Sequence, residues 1–242
     1  MILLVVLGCA PSSEGRDSET EPAELTTGDV RYLLAWDTAG ITLGDGWTAA
    51  ADGGWSVHVT QASLTSYAAS MVQCVDIVAR RPSPILSLII GVAYAGHDGL
   101  TDPSTLEAPI IEDLAAPAET LLGEVAFDTA AYCRVHWLVA SATLDTRGLD
   151  TSPWMMDRTL ALEAEATGPN GERRVLSLAS ASPVGGLADV DAGVDGPADV
   201  RIVRSLGTAF VGVDFVDDAD ADIAWAVLSN LGHDARVVVS GR

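Results

Sequence analysis

Short runs of alternating apolar and polar residues recur along most of the chain, and Tyr132–Val139 is the strictest of them. Its two faces carry Cys133, Val135, Trp137 and Val139 on one side, and Tyr132, Arg134, His136 and Leu138 on the other. A period of two residues is typical of a half-buried β-strand. We therefore expect this segment, continued to Thr143, to be a strand around which the rest of the sheet is organised.

The same period predicts strands in several other places. They are Asp29–Trp36, Trp55–Thr60 with a continuation to Val75, the hairpin pair Arg158–Ala166 and Arg174–Ala179, Val200–Arg204, Thr208–Phe215 and Arg236–Ser240. The continuation after Thr60 is either one long strand or two strands broken near 67–70. Ile110–Leu114 is either one strand or one helical turn, because Pro103, Pro109 and Pro117 argue against regular structure around it. The glycine- and aspartate-rich stretch Gly185–Asp199 predicts a loop.

One segment, Asp217–Leu231, has helical periodicity. Acidic residues in its first turn complement the helix dipole, and Gly232 is expected at its C-cap. Its apolar stripe is formed by Ile223, Val227, Leu228 and Leu231. Many short strands, glycine and proline turns and a single helix predict an all-β fold. We expect residues 29–242 to form one antiparallel β-sandwich domain with one short C-terminal helix.

The N-terminal residues carry the most specific signal. Met1–Ala10 is a short apolar run that contains Leu7-Gly8-Cys9, and an apolar core followed by a small residue is typical of an export signal. A small residue directly before a cysteine resembles the lipobox of bacterial lipoproteins. By that resemblance, residues 1–8 are a signal peptide and Cys9 becomes the lipid-anchored first residue. The alternative is a buried N-terminal strand that ends in a free cysteine.

The residues after Cys9 fit a tether. Pro11–Thr27 is polar and contains no aromatic residue, so it buries too little apolar surface to fold by itself. We expect residues 9–28 to be a lipid anchor and flexible linker that holds the domain at a membrane. This places the protein in the bacterial cell envelope, lipid-anchored and either periplasmic or on the cell surface. Ile85–Ala95 is also apolar but is too short to cross a membrane.

The charge of the chain excludes one class of partner. Its 242 residues carry a net charge of −21, and all basic residues are arginine. A field of this sign repels phosphate backbones, which argues against nucleic-acid binding. It favours cations or basic partners, although solubility alone is the alternative explanation.

Two cysteines remain when Cys9 is lipidated. Cys74 and Cys133 form an even pair in an exported chain, and a disulfide between them is the natural interpretation. It would close a loop of roughly 60 residues and stabilise the fold by about 4 kcal/mol in the chain-entropy model. The alternative is a thiolate pair for a soft metal, without the usual C-x-x-C spacing.

Three histidines form a candidate metal site. His58 and His136 lie on predicted strands, opposite the large apolar residues, and would converge if those strands pair. His97 lies beside Asp98 in a glycine-rich turn. Two or three imidazoles suit copper or zinc. The alternative is that each is an ordinary solvated or hydrogen-bonded histidine.

The acidic stretch Asp189–Asp199 is a second candidate metal site. Its carboxylates suit calcium, which prefers oxygen ligands. The stretch does not fit the EF-hand pattern, because Val194 stands where that loop requires glycine. A solvated acidic loop is the other interpretation.

The tryptophans divide by their sequence context. Trp55 and Trp137 lie on the apolar faces of alternating segments and are expected in the core. Trp47 and Trp154 lie in turn-rich stretches and are expected to be exposed. An exposed tryptophan can mark a contact with a carbohydrate or a protein.

A family resemblance joins these pieces. The lipoprotein start, Trp55–Tyr67, the Tyr132–Trp137 strand and Phe210–Phe215 before the acidic helix resemble the MbnP-like periplasmic β-sandwich proteins. That resemblance implies a β-sandwich, copper bound through histidines and an oxidised tryptophan, and a di-haem redox partner. Trp154-Met155-Met156 has the residue types of the family's Met-x-Trp signature in reverse order, so no copper ligand is transferred.

Three functional hypotheses follow. The first is a membrane-anchored lipoprotein whose β-sandwich binds a ligand, with a transition metal such as copper as the candidate and a redox or envelope protein as partner. The second is a structural or protein-interaction lipoprotein without a small ligand. The third is an exported hydrolase, but the chain has no G-x-S-x-G, H-E-x-x-H, P-loop or G-x-G-x-x-G motif. We therefore do not expect an enzyme.

Overall fold

The structure is a computed structural model and describes residues 30–73, 104–125, 132–194 and 197–241. The elements of these residues are β1 (Val30–Asp37), β2 (Ile41–Gly44), β3 (Gly46–Ala50), β4 (Ser56–Gln73), β5 (Leu106–Asp113), β6 (Thr120–Val125), β7 (Tyr132–Val139), β8 (Leu160–Thr167), β9 (Arg173–Ser180), β10 (Val184–Val194), β11 (Ala198–Ser205), α1 (Asp220–His233) and β12 (Ala235–Gly241). Short 3₁₀ turns span Asp52–Gly54 and Pro153–Met155.

These strands form two sheets, which confirms the predicted all-β sandwich. The smaller sheet has the order β12-β11-β1-β6, and the larger runs β10-β7-β4-β3-β2, with β5 and β8 also on β4 and β9 on β8. One pair departs from the antiparallel expectation, because β1 and β11 run parallel. These two strands are far apart in the sequence, so their direction is not set by a hairpin.

Strand β4 organises the larger sheet. Its first half pairs with β3 and β8, and its second half with β5 and β7. Register shifts near Thr60 and Tyr67 mark bulges, which bend a strand without ending it, so the predicted long strand is continuous. Strand β7 begins at Tyr132 as predicted but ends at Val139, without the continuation to Thr143, and it is a neighbour of β4 and not the centre of the sheet.

The inner face of the larger sheet is covered by two different layers. Around the first half of β4, buried side chains pack with those of α1 and of the segment 206–215. Around the second half of β4, they pack with those of the smaller sheet. The helix therefore covers the part of the large sheet that the second sheet does not reach.

The predicted strand Thr208–Phe215 is wrong, because this segment consists of turns. Phe210, Val213 and Phe215 are nevertheless buried. The Phe210 ring centroid lies 5.9 Å from that of Trp47, and the Phe215 centroid lies 5.2 Å from that of Trp55. The apolar spacing therefore predicted correctly which side chains are buried. The backbone forms local hydrogen bonds, such as that from Ala209 N–H to the Leu206 carbonyl, instead of pairing with another strand.

The predicted loop Gly185–Asp199 is also wrong, since most of it is β10. Gly186 pairs directly with Trp137 of β7, and a Cβ at Gly186 would overlap the indole ring of Trp137. The glycine therefore makes room for the aromatic ring beside it and does not break the strand.

The C-terminal elements match the prediction closely. Helix α1 begins at Asp220, and the four predicted apolar positions are buried. Gly232 lies inside the helix and not at its C-cap, where its carbonyl accepts a hydrogen bond of 2.7 Å from the indole of Trp137. The hairpin β8–β9 and the last strand, β12, are present as expected, and Ile110–Leu114 belongs largely to β5.

A buried ion pair joins the two sheets. The side chains of Glu112 on β5 and Arg204 on β11 are 2% and 1% exposed and lie 2.8 Å apart. Ser66 of β4 donates to Glu112 at 2.6 Å and accepts from Arg204 at 2.7 Å. The indole of Trp36 on β1 also donates to Glu112, at 2.9 Å, and Arg204 lies over its ring. Four strands from both layers thus converge on one polar cluster.

No helix among the described ranges combines the length and apolar character needed to cross a membrane.

Candidate functional site

The outer face of the larger sheet is polar where β4, β8 and β9 lie side by side. Each strand alternates between the two faces, so most of its outward side chains are polar, with Val175 on β9 as an apolar exception that is 76% exposed. The outward side chains include Ser56, His58 and Thr60 on β4, Glu163 and Glu165 on β8, and Arg173 and Ser177 on β9. A hairpin and a long strand together therefore form a broad hydrophilic surface.

The segment 140–159 forms a wall at one end of this surface. Met155 is fully buried and packs with Ala142 and Ala161. Backbone hydrogen bonds join Ala142 N–H to the Arg158 carbonyl at 3.0 Å and Asp157 N–H to the Ala142 carbonyl at 3.1 Å. These contacts hold the 3₁₀ turn in place and leave the neighbouring Trp154 41% exposed.

Two depressions run along the polar surface. The one at the wall has a volume of about 490 Å³ and is lined by Gln61, Trp154, Arg158, Glu163 and Ser177, among others. The second, of about 380 Å³, extends past Glu163 to His58 and Thr167. Because Glu163 lines both, they lie side by side, and we call the two together the outer-face groove.

Some polar groups of the outer-face groove form hydrogen bonds within the protein, and others do not. Ser177 donates to the Glu163 carboxylate at 2.6 Å, and Thr60 donates to the Glu163 carbonyl at 3.3 Å. Within the described part of the chain, the guanidinium of Arg158 and the amide of Gln61 take part in no ion pair or side-chain hydrogen bond. A ligand would therefore meet free donors and acceptors at the Trp154 end.

His58 lies at the other end of the groove. Its Nδ1 is 3.1 Å from the hydroxyl of Thr48, and it stands opposite Glu165 in the β4–β8 pairing. Glu165 is in turn 3.3 Å from Arg173. This end therefore presents an exposed imidazole beside an ion pair.

The predicted convergence of His58 with His136 does not occur. His136 pairs with Ser70 at the far end of β4, and the path from His58 to Ser70 spans about 40 Å at roughly 3.3 Å per residue. His97 lies outside the described residues, so its part in a metal site stays a prediction. Among the residues that the structure covers, no three histidine, cysteine, aspartate or glutamate side chains form a metal-binding group.

The cysteines are described only in part. Cys133 takes part in a disulfide, while Cys74 and Cys9 lie outside the described residues. The Cys74–Cys133 pairing and the lipidation of Cys9 therefore stay predictions.

The two ends of the acidic stretch, Asp189 and Asp199, lie in different sheets, and the side chains of residues 191–196 between them lie outside the described residues. Asp189 lies on β10 and forms an ion pair of 2.6 Å with Arg134. Asp199 lies on β11, in the other sheet, and accepts two hydrogen bonds from Arg31, at 2.7 and 2.6 Å. Because each carboxylate is held by an arginine on a neighbouring strand, the two have structural roles.

The residues whose pKa is clearly shifted do not line the outer-face groove. The hydrogen bond to Asp199 raises the pKa of Arg31, and the hydrogen bond to Glu119 raises the pKa of Arg201. In the β8–β9 turn, a hydrogen bond from the Asn170 side chain lowers the pKa of Glu172. Each shift follows from a local hydrogen bond on the surface.

The predicted burial or exposure is wrong for one of the four tryptophans and confirmed for the other three. Trp47 is fully buried, contrary to its predicted exposure, and donates to the Leu114 carbonyl at 2.8 Å. Trp137 is buried and Trp55 is partly buried against the core, as predicted. Trp154 is exposed, as predicted, and lines the groove.

Sequence reasoning missed most of the groove. Gln61, Arg158, Glu163 and Ser177 come from three different strands or their flanks, and no spacing between them is regular. The available signal was the outward polar alternation of the hairpin, to which Glu163 and Ser177 belong. That alternation predicts an exposed face but does not predict that the segment 140–159 stands beside it.

Comparisons with known proteins add little. No family model matches the chain, and no curated protein matches it. Among solved structures, MbnP from Methylosinus trichosporium matches over 81% of this chain and 86% of that chain, at 14% identity and a TM-score of 0.32. The chain thus resembles MbnP loosely, and a likeness of this degree says nothing of what this protein binds.

Proposed function

We propose that this protein is an exported lipoprotein, held at a membrane of the bacterial envelope through Cys9, whose β-sandwich binds a ligand in the outer-face groove. The observation that carries the proposal is the groove itself. Trp154 is exposed there on a fixed turn, beside an arginine and a glutamine that make no other polar side-chain contact among the described residues.

A binding role is favoured over a catalytic one by the contacts in the groove. Hydrolysis by a serine needs a base, usually histidine, within hydrogen-bond reach of the hydroxyl. Ser177 instead donates to Glu163, and His58 contacts Thr48. Among the described groove residues, no serine is therefore paired with a histidine, which favours recognition over hydrolysis by a serine–histidine pair.

The anchor is tested on the full chain expressed in a bacterial host with a lipoprotein export pathway. Cells are fed an alkyne analogue of palmitate and then fractionated. We expect the unaltered chain to be labelled and found with membranes, whereas Cys9→Ala should lose the label and appear in the soluble fraction. A membrane-bound, unlabelled chain would contradict the proposed anchor.

The groove is tested by hydroxyl-radical oxidation of tryptophan in intact envelopes and in purified protein. Trp154 and Trp225 have similar exposure, 41% and 51%, and Trp225 lies on α1. We expect Trp154 to be oxidised more slowly in the envelope than after purification, and Trp225 to be unchanged. Equal oxidation of Trp154 in both states would contradict a ligand in the groove.

The structural or protein-interaction role is the alternative, and one observation favours it. Val211, Val216 and Trp225 are large apolar side chains exposed within the segment 211–225, and exposed apolar groups can mark a protein contact. Protection of Trp225 in the envelope, with Trp154 unprotected, would support this alternative.

Copper binding is a narrower candidate, supported by the exposed imidazole of His58. It is tested by metal analysis of the exported protein purified without chelator. Near-stoichiometric copper that is lost in His58→Ala, and retained in the exposed control His233→Ala, would support a copper site. A protein that contains no copper and takes up none when copper is added would exclude it.

A further inference from the structure

We infer that the Trp154 end of the outer-face groove binds an uncharged or amino-bearing oligosaccharide. The inference rests on the proposed function, since it assigns a ligand class to the same groove. It goes beyond that proposal by naming the chemistry that each groove residue recognises.

Trp154 supplies an apolar platform. The C–H groups on one face of a sugar ring are weakly positive, and the face of an indole is negative, so the two stack. The 3₁₀ turn that carries Trp154 is held by the buried Met155 and by backbone hydrogen bonds. Because the backbone of this turn is already fixed, binding of a ligand costs no ordering of the loop that carries the indole.

The other groove residues supply planar polar groups. The amide of Gln61, the guanidinium of Arg158 and the carboxylate of Glu163 each offer two atoms in a plane for hydrogen bonds. Neighbouring hydroxyls on a sugar ring match such pairs of atoms, accepting from Arg158 and donating to Glu163. An aromatic platform beside planar hydrogen-bonding side chains is therefore complementary to a saccharide.

The charge and shape of the surface narrow the class. The chain has a net charge of −21, and Glu163 lies where the two depressions meet. The Glu163 carboxylate disfavours uronic acids, sulfated sugars and phosphates at the point where the two depressions meet. The groove continues from Trp154 past Glu163 towards His58, so its length suits several linked sugar rings better than a single one.

The test uses the full chain in the Cys9→Ala background and calorimetric titration with cello-, xylo-, malto- and chito-hexaose and a deacetylated chitosan oligomer. An oligogalacturonate of similar length is the anionic probe. We expect at least one of the uncharged or amino-bearing oligomers to bind and the oligogalacturonate not to bind. Trp154→Ala should weaken binding about tenfold or more, as expected when a central aromatic contact is removed.

Matched variants separate recognition from folding. Trp225→Ala removes a similarly exposed tryptophan outside the groove and should leave affinity within about twofold. Glu163→Gln keeps the shape of its side chain and should weaken binding by losing the charge-assisted hydrogen bonds. Circular dichroism of each variant checks that the fold is retained.

Two outcomes would overturn the inference. One is that none of the oligomers binds at millimolar concentration, and the other is that binding survives Trp154→Ala unchanged. If the oligomers fail while Trp154 is still protected in the envelope, the groove has an occupant of another class, such as a peptide. The proposed binding function would then stand without the saccharide.

Discussion

At the scale of single side chains, Arg204 and Glu112 form a buried ion pair between the two sheets. Both are buried, and removing a charge from water costs several kcal/mol unless it is paired and hydrogen-bonded. Glu112 meets this condition through Arg204, Ser66 and Trp36. The pair therefore links β5 of the larger sheet to β11 of the smaller one, whatever its net contribution to stability.

Removing one member of this pair should destabilise the fold strongly. Arg204→Met leaves the Glu112 carboxylate buried without a counter-charge, and we expect a loss of about 3–5 kcal/mol in the free energy of unfolding. Urea denaturation followed by tryptophan fluorescence measures this loss.

Two variants show whether the effect comes from the unpaired charge. Glu112→Gln combined with Arg204→Met removes both charges and should recover a large part of the loss. Arg201 lies on the same strand as Arg204 and forms an ion pair with Glu119 at the surface. Arg201→Met removes that pair and should lower the free energy of unfolding by less than about 1 kcal/mol. A double variant as unstable as Arg204→Met alone would contradict the explanation.

At the scale of elements, β10 shows how a strand can be formed by residues that are typical of loops. Gly186 lies opposite Trp137, and the indole occupies the space where a larger residue would place its side chain. The indole N–H of Trp137 also donates a hydrogen bond to the Gly232 carbonyl near the C-terminal end of α1. The position of β10 thus depends on a tryptophan of the neighbouring strand and on the helix packed behind it.

A methyl group at Gly186 should disturb this arrangement. Gly186→Ala forces the buried Trp137 ring to move, and we expect a destabilisation of about 1–3 kcal/mol, typical of overpacking. Gly44→Ala is the control, since nothing lies within 4 Å of a Cβ there, and should change stability by less than about 0.5 kcal/mol. Equal effects of the two substitutions, measured by thermal denaturation, would contradict the role of Trp137.

Helix α1 begins without a side-chain cap. Its N-cap is Ala219, which has extended backbone angles and makes no capping hydrogen bond. Ala219→Ser would accept a hydrogen bond from the first turn, and we expect the protein to gain about 0.5–1 kcal/mol. Ala221→Ser, at the second residue of the helix, should instead lower the free energy of unfolding by about a few tenths of a kcal/mol. Urea denaturation distinguishes the two signs.

At the scale of the whole molecule, the dominant property is the acidic field. The chain carries 34 acidic and 13 basic residues, so like charges repel across the folded surface. The ion pairs of Arg31, Arg134, Arg174 and Arg201 offset only part of this repulsion. Salt screens surface charges beyond about 10 Å at roughly 0.1 M.

Added salt should therefore stabilise the protein. Between about 20 mM and about 300 mM sodium chloride, we expect Tm to rise by about 2–4 °C, which corresponds to about 1 kcal/mol in a chain of this size. Asp217→Asn combined with Asp222→Asn lowers the repulsion at exposed positions and should reduce the rise. A Tm that falls with salt would show that attractive ion pairs outweigh the repulsion.

The sequence by itself determined the fold class and much of the core. Alternation placed Val57, Val59, Val135 and Trp137 inside and His58 outside, because a period of two residues assigns each side chain to a face whatever the strand pairs with. The helical stripe of α1 was likewise readable, since a period near 3.6 residues needs no partner to be recognised.

Only the tertiary structure decided which strands meet and what their faces carry. The parallel pairing of β1 with β11, the strand at β10, the turns at 208–215 and the Glu112–Arg204 pair all depend on contacts between residues far apart in the chain. The outer-face groove has the same origin, because Trp154, Glu163 and Ser177 share it through packing and strand register. Periodicity assigns a residue to a face, but register and packing decide which residues stand beside it.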